Sequence, residues 1–316
     1  MAASPAKAQF AGAPASLAPL VRAVAPSVVG IAVTEAAGAH GRSALAAGSG
    51  FIIRPDGMIV TNDHVIEGAA RIIVTLDDGE RLPAKRIATD DLTDIAIIKV
   101  TLDHQLPPAH WADSSAAQVG DWVLAAGNPF ALGNSFTLGI ISAEGRDIGE
   151  GPFDHFLQLD APINPGNSGG PAFNMQGGVI GINSAIVSPS GGSVGIGFAI
   201  PSNEARPIVA ALIAHGDIAR GWLGLSVADA QTGPDGGVAG AQISAVEAGG
   251  PADRAGLTGG EVVLSVDNRQ IFDASGLIRV IASMAPGTKV ELGVRKNAHI
   301  LHVPVIVDRR PAQLGE

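Results

Sequence analysis

Between Gly48 and Ile200 the chain is broken into short β-rich runs separated by turns: GSGFIIR, GMIVTND, RIIVTL, DIAIIKV, DWVLAAGN, FTLGIISA, FLQLDAPI, GVIGINSAIV and VGIGFAI. Closely spaced strands of this length predict an all-β barrel or sandwich. Apolar and polar residues alternate clearly in RIIVTL and weakly elsewhere, as expected of barrel strands buried on both faces. Gly and Pro make up about a fifth of the 316 residues, which suits turn-rich β structure rather than a helical bundle. Aromatics are 4% and Tyr is absent, so Val, Ile, Leu and Ala must fill the core.

The pattern changes twice along the chain. Residues 1–18 are Ala/Pro-rich and read as a flexible arm, and 19–33 read as a short helix entering a strand. Residues 36–47 are small and polar, a loop. Residues 202–216 carry a helical signal: Ser202 as N-cap, an apolar face of Ile208, Val209, Leu212 and Ile213, and Gly216 as the stop. Pro207 is awkward inside a helix, so the regular part is expected to begin near it. This helix closes a first domain at 19–216, and 217–221 form a linker. Residues 222–310 read as a small α+β module: strands WLGLSV, AQISAV, VVLSVD, KVELGVRK and ILHVPVIV, a short helix PADRAG and an amphipathic helix at 275–285. Residues 311–316 are a tail.

One string carries chemistry. Residues 165–171 read Pro-Gly-Asn-Ser-Gly-Gly-Pro. A serine hydroxyl is a poor nucleophile unless a base removes its proton and donors stabilise the oxyanion it creates. Glycines around Ser168 let the backbone turn tightly and aim N–H groups at one point. Gly166 and Ser168 are the natural donors, with Asn167 between them as a further contributor. Gly133-Asn134-Ser135, by contrast, reads as an ordinary turn.

The base should be one of eight histidines. His40, His104, His110, His155, His215, His299 and His302 lie in loops, turns, a helix end or the second module, where surface or structural roles are expected. His64 follows the run MIVTND and sits where a strand end would hold a general base rigidly. The orienting acid should be Asp94, at the head of DIAIIKV, where the apolar strand would bury it. Asp90 and Asp91, in the preceding polar turn, are read as solvated. The order His, Asp, Ser is that of chymotrypsin-type enzymes.

GSGFII (48–53), VTNDHVI (60–66), DLTDIAIIKV (91–100), GNPF (127–130), GIISAEGR (139–146), LDAPINPGNSGGP (159–171), GVIGIN (178–183) and GIGFAIPS (195–202) together resemble the HtrA/Deg family, over about residues 19–310. The resemblance implies a mainly β chain: a chymotrypsin-like double β-barrel serine protease domain followed by an α+β PDZ domain. It implies ATP-independent cleavage of unfolded or damaged proteins in quality control, the triad His64, Asp94 and Ser168, and no cofactor. Ile163, Ile186 and Val187 resemble the specificity-pocket walls; all are aliphatic, so cleavage after Val, Ala or Ile is expected. Gly221-Trp222-Leu223-Gly224-Leu225 resembles a PDZ carboxylate-binding loop, with Ile278 and Ile281 on the helix completing the pocket. Gly250 to Leu257 is a frequent signature of these PDZ domains, Glu261 replaces a common Asp, and Asn268 stands where a turn Gly is common. Arg146 resembles a position that senses the PDZ state. The short 36–47 loop favours a homotrimer, with Phe10 and the arm contributing to its contact.

Other function classes fit less well. The net charge of −10 argues against nucleic acid as a partner. No Cys is present, which excludes disulfides and a thiol nucleophile. No H-E-x-x-H string supports a metal-dependent hydrolase. A peptide-binding scaffold is the main alternative, yet it would usually have lost a triad residue. No membrane span and no signal-peptide core are expected, while the resemblance points to the periplasm or another extracytoplasmic space.

Overall fold

A computed structural model describes residues 16–35, 45–128, 133–149, 151–188, 192–230, 240–297 and 299–311. Phe10 and most of the 36–47 loop lie outside the described residues. The chain groups into two compact units: residues 1–85, 98–142 and 158–203 in one, and 86–97, 143–157 and 204–316 in the other.

Helix α1 (Ala18–Val24) leads through one tighter turn into the first strands. These are β1 (Val28–Glu35), β2 (Leu45–Arg54), β3 (Met58–Thr61), β4 (Ala69–Thr75), β5 (Arg81–Asp90) and β6 (Ile95–Val100). They form a closed barrel in the order β1-β2-β3-β6-β5-β4, completed because β1 pairs antiparallel with both β2 and β4. All four residues of β3 are buried, as are five of the six in β6. That explains why these runs show no alternation: neither face meets water.

A second ring is built from β8 (Trp122–Gly127), β9 (Ser135–Arg146), β10 (Phe156–Leu159), β11 (Pro171–Phe173), β12 (Gly178–Ile186) and β13 (Gly197–Pro201). The ring closes because β11 pairs with both β8 and β12, and the short β7 (His110–Trp111) adds parallel to β12. The architecture is thus a double barrel, not a sandwich, and closure removes the free edges that a sandwich would have to protect.

Helix α2 (Asp63–Ile66) follows β3. Helix α3 runs over Ser202–His215 and includes Pro207, so the expected start near the proline is corrected. Ser202 does not serve as a simple N-cap. Its hydroxyl donates to the Ala112 carbonyl at 2.6 Å and accepts from the Ser114 amide at 3.1 Å, which fixes the start of the helix. Gly216, with φ +79°, ends it as expected.

The C-terminal module contains β14 (Gly221–Trp222), β15 (Leu225–Asp229), β16 (Ala241–Val246), α4 (Pro251–Arg254), β17 (Val262–Val266), β18 (Arg269–Gln270), α5 (Ala274–Ala282), β19 (Lys289–Lys296), β20 (His299–Ile306) and β21 (Asp308–Arg309). Its main sheet is ordered β15-β16-β17-β19-β20, with β18 on β17 and β14 paired to β21. WLGLSV, expected as one strand, is two, interrupted at Leu223-Gly224 where Gly224 has φ +72°. Pro304 is tolerated because β20 lies at the sheet's end, where a missing N–H leaves no ladder position empty. Asp267 and Asn268 both have positive φ in the β17–β18 turn, the conformation expected of Asn there. None of the described helices is long and apolar enough to cross a membrane.

Candidate active site

The segment around Ser168 is clamped by hydrogen bonds within itself and to two other parts of the chain, at Ser49 and at Asn183–Ser184. The Gly169 amide donates to the Asn183 carbonyl at 2.7 Å, and the Asn183 amide to the Gly170 carbonyl at 2.8 Å. The Ser49 amide donates to the Ser168 carbonyl at 2.8 Å. The Asn167 amide turns back onto the Asn164 carbonyl at 3.0 Å. Asn167 therefore cannot offer its N–H to an oxyanion, which corrects its expected contribution. Among the described residues, no acceptor is bonded to the amides of Gly166 and Ser168. The Ser168 hydroxyl donates to the Ser184 carbonyl at 3.0 Å.

The glycines are required by geometry. Gly166 and Gly169 have φ of +100° and +84°. A Cβ on Gly169 would lie 2.2 Å from the Ser49 carbonyl oxygen, 2.3 Å from Thr61 Oγ1 and 3.0 Å from the Asn62 amide. Thr61 and Asn62 are fully buried and lead directly into His64. The loop bearing Ser168 is thus packed against the residues that lead into His64.

His64 lies in α2, three residues beyond the end of β3 rather than at a strand end, and is exposed. Asp94 does not open β6 but precedes it, in the left-handed conformation with φ 54° after the turn at 91–93, and is half-buried. The polar turn was expected to leave its neighbours solvated. Asp90 instead is 6% exposed and accepts two hydrogen bonds from Arg220, at 3.2 and 2.7 Å.

Ile163 is fully buried. A Cβ on Gly197 would meet its Cγ1 at 3.0 Å, and Gly197 is the cross-strand partner of Ile186. Those two isoleucines flank one glycine of β13. Val187, at 49% exposure, stands farther out at the end of β12.

In the C-terminal module the Leu223 and Gly224 carbonyls accept from the Ala252 and Glu247 amides, both at 2.9 Å. Among the described residues, no acceptor is bonded to the Leu223 and Gly224 amides, which leaves two donors in sequence for a carboxylate. The Leu223 and Ile281 side chains are 4% exposed and sit in the module's core, so they are corrected from groove lining to packing. Leu225 and Ile278 are half-buried and remain the apolar candidates, beside half-buried Trp222.

Within the second unit, charged groups missed in the sequence gather around 90–94 and 151–155. Arg220 stacks on the Phe153 ring at 4.5 Å while gripping Asp90, and the Thr93 hydroxyl donates to the same carboxylate. Arg310 makes a two-point contact with Asp91, both bonds 2.7 Å. Arg279 donates to the Pro152 carbonyl at 2.7 Å, and His155 pairs with Glu204 at 2.5 Å. Arg146, the sensor position suggested by resemblance, ends β9 and is exposed. A signal for Arg220 was its place directly before the Gly221 loop, but its partner is 130 residues away.

Hydrogen bonding from Arg310 holds the Asp91 carboxyl below the usual carboxylate range. Its pKa is depressed in the folded state, so the contribution to stability is present above about pH 4 and is lost as pH falls through the folded value. Asp91→Asn should therefore flatten the acid limb of stability between about pH 5 and 3. Solvent screening at this half-exposed pair keeps the change small. Urea unfolding at stepped pH checks it; parallel acid limbs in the two proteins would refute it.

The Trypsin-like peptidase domain family matches residues 48–182, and the PDZ domain family matches 221–307. A protein of Bartonella henselae named "Probable periplasmic serine endoprotease DegP-like" is 45% identical over 276 residues, covering 86% of this chain and 55% of that protein. The chain spans about half the length of the curated relatives it matches. A solved structure titled "HtrA-type protease AlgW with decapeptide" superposes with TM-score 0.79 at 36% identity, covering 94% of this chain and all of that one. The serine endoprotease of Yersinia pestis superposes with TM-score 0.74 at 33% identity, covering 95% of this chain and all of that one.

Proposed function

Because the chain belongs to the family of HtrA-type serine proteases, we propose that it is an endopeptidase cleaving unfolded or damaged proteins after small or medium apolar residues, in protein quality control outside the cytoplasm. The observation that carries this reading is the clamped 164–170 segment: a serine hydroxyl between glycines, two amides without acceptors, and a tight seat against the residues leading into His64.

In this mechanism His64 takes the Ser168 proton as Oγ attacks the scissile carbonyl carbon, and Asp94 orients the imidazole. The hydroxyl must first leave the Ser184 carbonyl, a rotation about one side-chain bond. The Gly166 and Ser168 amides stabilise the oxyanion. The tetrahedral species collapses to an acyl-enzyme as His64 returns the proton to the leaving amine, and water then releases the acid.

Ile163, Ile186 and Val187 supply an apolar primary pocket with no carboxylate to attract Lys or Arg. Mass-spectrometric mapping of cuts in reduced casein should therefore find Val, Ala or Ile before most scissile bonds. A majority of cuts after Lys, Arg or Phe would refute this pocket assignment. The periplasmic naming of relatives supports the compartment, and a homotrimer with Phe10 in its contact remains the expected assembly.

We further propose that C-terminal peptides seated on the Leu223 and Gly224 amides regulate the enzyme. Arg220 and Arg310 flank the peptide-binding module and hold the two acids just before Asp94, while Arg279 of α5 holds Pro152. Peptide binding near α5 can therefore alter the loop that carries the orienting acid. Arg146 is assigned a sensing part in the same response. A peptide with a free apolar C-terminus should raise the rate of casein cleavage several-fold, and Arg279→Ala should change the peptide-free rate. Equal rates with and without peptide, with the peptide shown to bind, would leave the module a tether only.

A further inference from the structure

We propose that Ser49 is a positioning residue for the oxyanion donors, an inference that rests on the proteolytic function above. Ser49 is fully buried on β2 and makes four hydrogen bonds. Its amide donates to the Ser168 carbonyl at 2.8 Å, and its carbonyl accepts from Thr61 Oγ1 at 2.7 Å. Its hydroxyl accepts from the Asn128 amide at 2.7 Å and donates to the Gly166 carbonyl at 2.5 Å. One side chain therefore ties the nucleophile loop to the end of β8, while its backbone ties the same loop to the strand leading to His64.

The bond to Gly166 bears on chemistry because of where that peptide lies. The Gly166–Asn167 peptide unit separates the two donor amides, so its plane sets the angle between them. Its N–H end is fixed on the Asn164 carbonyl and its C=O end on Ser49. Without the second bond, little resists a rotation of this plane, since glycine crosses φ/ψ space at small cost. A donor pair aimed at a developing charge helps only if it needs no reorganisation during the reaction. The hydroxyl is also hard to replace by water: a Cβ on Gly127 would come within 2.8 Å of Ser49 Oγ and 2.6 Å of Asn167 Oδ1.

The test compares the full chain with Ser49→Ala, and with the near-isosteric Ser49→Cys, whose thiol is a weak donor. Both kcat and KM are measured on a peptide that spans a casein bond cut by the wild type. Hydrogen–deuterium exchange of the 164–170 segment is followed in the same variants and in a Ser168→Ala background. Ser49→Ala should lower kcat roughly 10- to 100-fold with KM within about threefold, because aligned donors act on the transition state. Ser49→Cys should lose several-fold in kcat, and exchange of 164–170 should accelerate in both. A packing role alone would lower the unfolding midpoint and leave kcat per folded enzyme unchanged; that result, from either variant, overturns the proposal. If the wild type cleaves nothing, the proteolytic function falls, and the exchange data alone decide whether Ser49 holds the loop: unchanged exchange then overturns this inference too.

Discussion

Replacing Ser168 by alanine should reduce turnover of unfolded casein by roughly a million-fold, to a residue set by binding and the oxyanion donors. In the mechanism proposed above, the removed Oγ is the atom that gives its proton to His64 and forms the acyl bond, so no neighbour can substitute for it. Two other serines are bonded to Ser168, Ser184 through its backbone carbonyl and Ser49 through its backbone amide. The fold should survive. The loop's clamps run through backbone groups of Gly166, Asn167, Ser168, Gly169 and Gly170, all of which remain in the alanine variant. The expected outcome is thus an inert protein with a wild-type unfolding midpoint. A fluorophosphonate probe, which labels an activated serine, should mark the wild type and leave the variant unmarked. Residual cleavage within tenfold of wild type would remove Ser168 from the mechanism and return weight to a peptide-binding scaffold.

The second large effect is expected at Gly169. A side chain there meets two independent penalties. With φ +84° the backbone is in a region that L-residues adopt at a cost of about 1–3 kcal/mol. The added Cβ would also press on the Ser49 carbonyl oxygen, Thr61 Oγ1 and the Asn62 amide, and two of these are backbone atoms of buried residues. Overpacking of this kind costs about 1–3 kcal/mol more. Gly169→Ala should therefore destabilise by about 2–6 kcal/mol, a large share of what a domain of this size has to lose. Gly68 provides the control. It has φ +65° with no atom within 4 Å of its virtual Cβ, so Gly68→Ala carries only the conformational penalty. Urea unfolding of the two variants separates strain from collision. Equal losses at both sites would mean that the nucleophile loop yields easily, contrary to its dense clamping.

Much of residues 48–200 was legible in the sequence alone. The nine β-rich runs, the Pro-Gly-Asn-Ser-Gly-Gly-Pro string and the positions of His64 and Asp94 all depend on local properties: β-branched content, glycine in places that demand positive φ, and residue type at a turn. Local order is what a linear pattern can report. The strand pattern alone left barrel and sandwich open, and the double barrel followed only from the family resemblance, because closure depends on β1 meeting both β2 and β4, and β11 meeting both β8 and β12. Nothing in an individual strand records which second neighbour it will have.

The candidate site divides along the same line. Residue type and spacing pointed to the roles proposed above: Ser168 as nucleophile, His64 as base, and the Gly166 and Ser168 amides as donors. Asn167 was misjudged because its amide is taken by Asn164 only once the turn is formed. Asp90 was misjudged because a carboxylate in a polar turn is usually solvated, and its guanidinium partner comes from beyond a whole domain's length of chain. Leu223 and Ile281 were misassigned because a hydrophobic residue beside a binding loop can face the groove or the core, and periodicity over two residues cannot separate the two. Ser49 was quoted only as part of a motif; its four partners come from three distant segments. The sequence by itself therefore determined the chemistry available and where along the chain most of the strands fall. Tertiary structure alone decided which buried polar groups share a hydrogen bond, because a hydrogen bond forms where space brings donor and acceptor within about 3 Å, and separation along the chain carries no record of that distance.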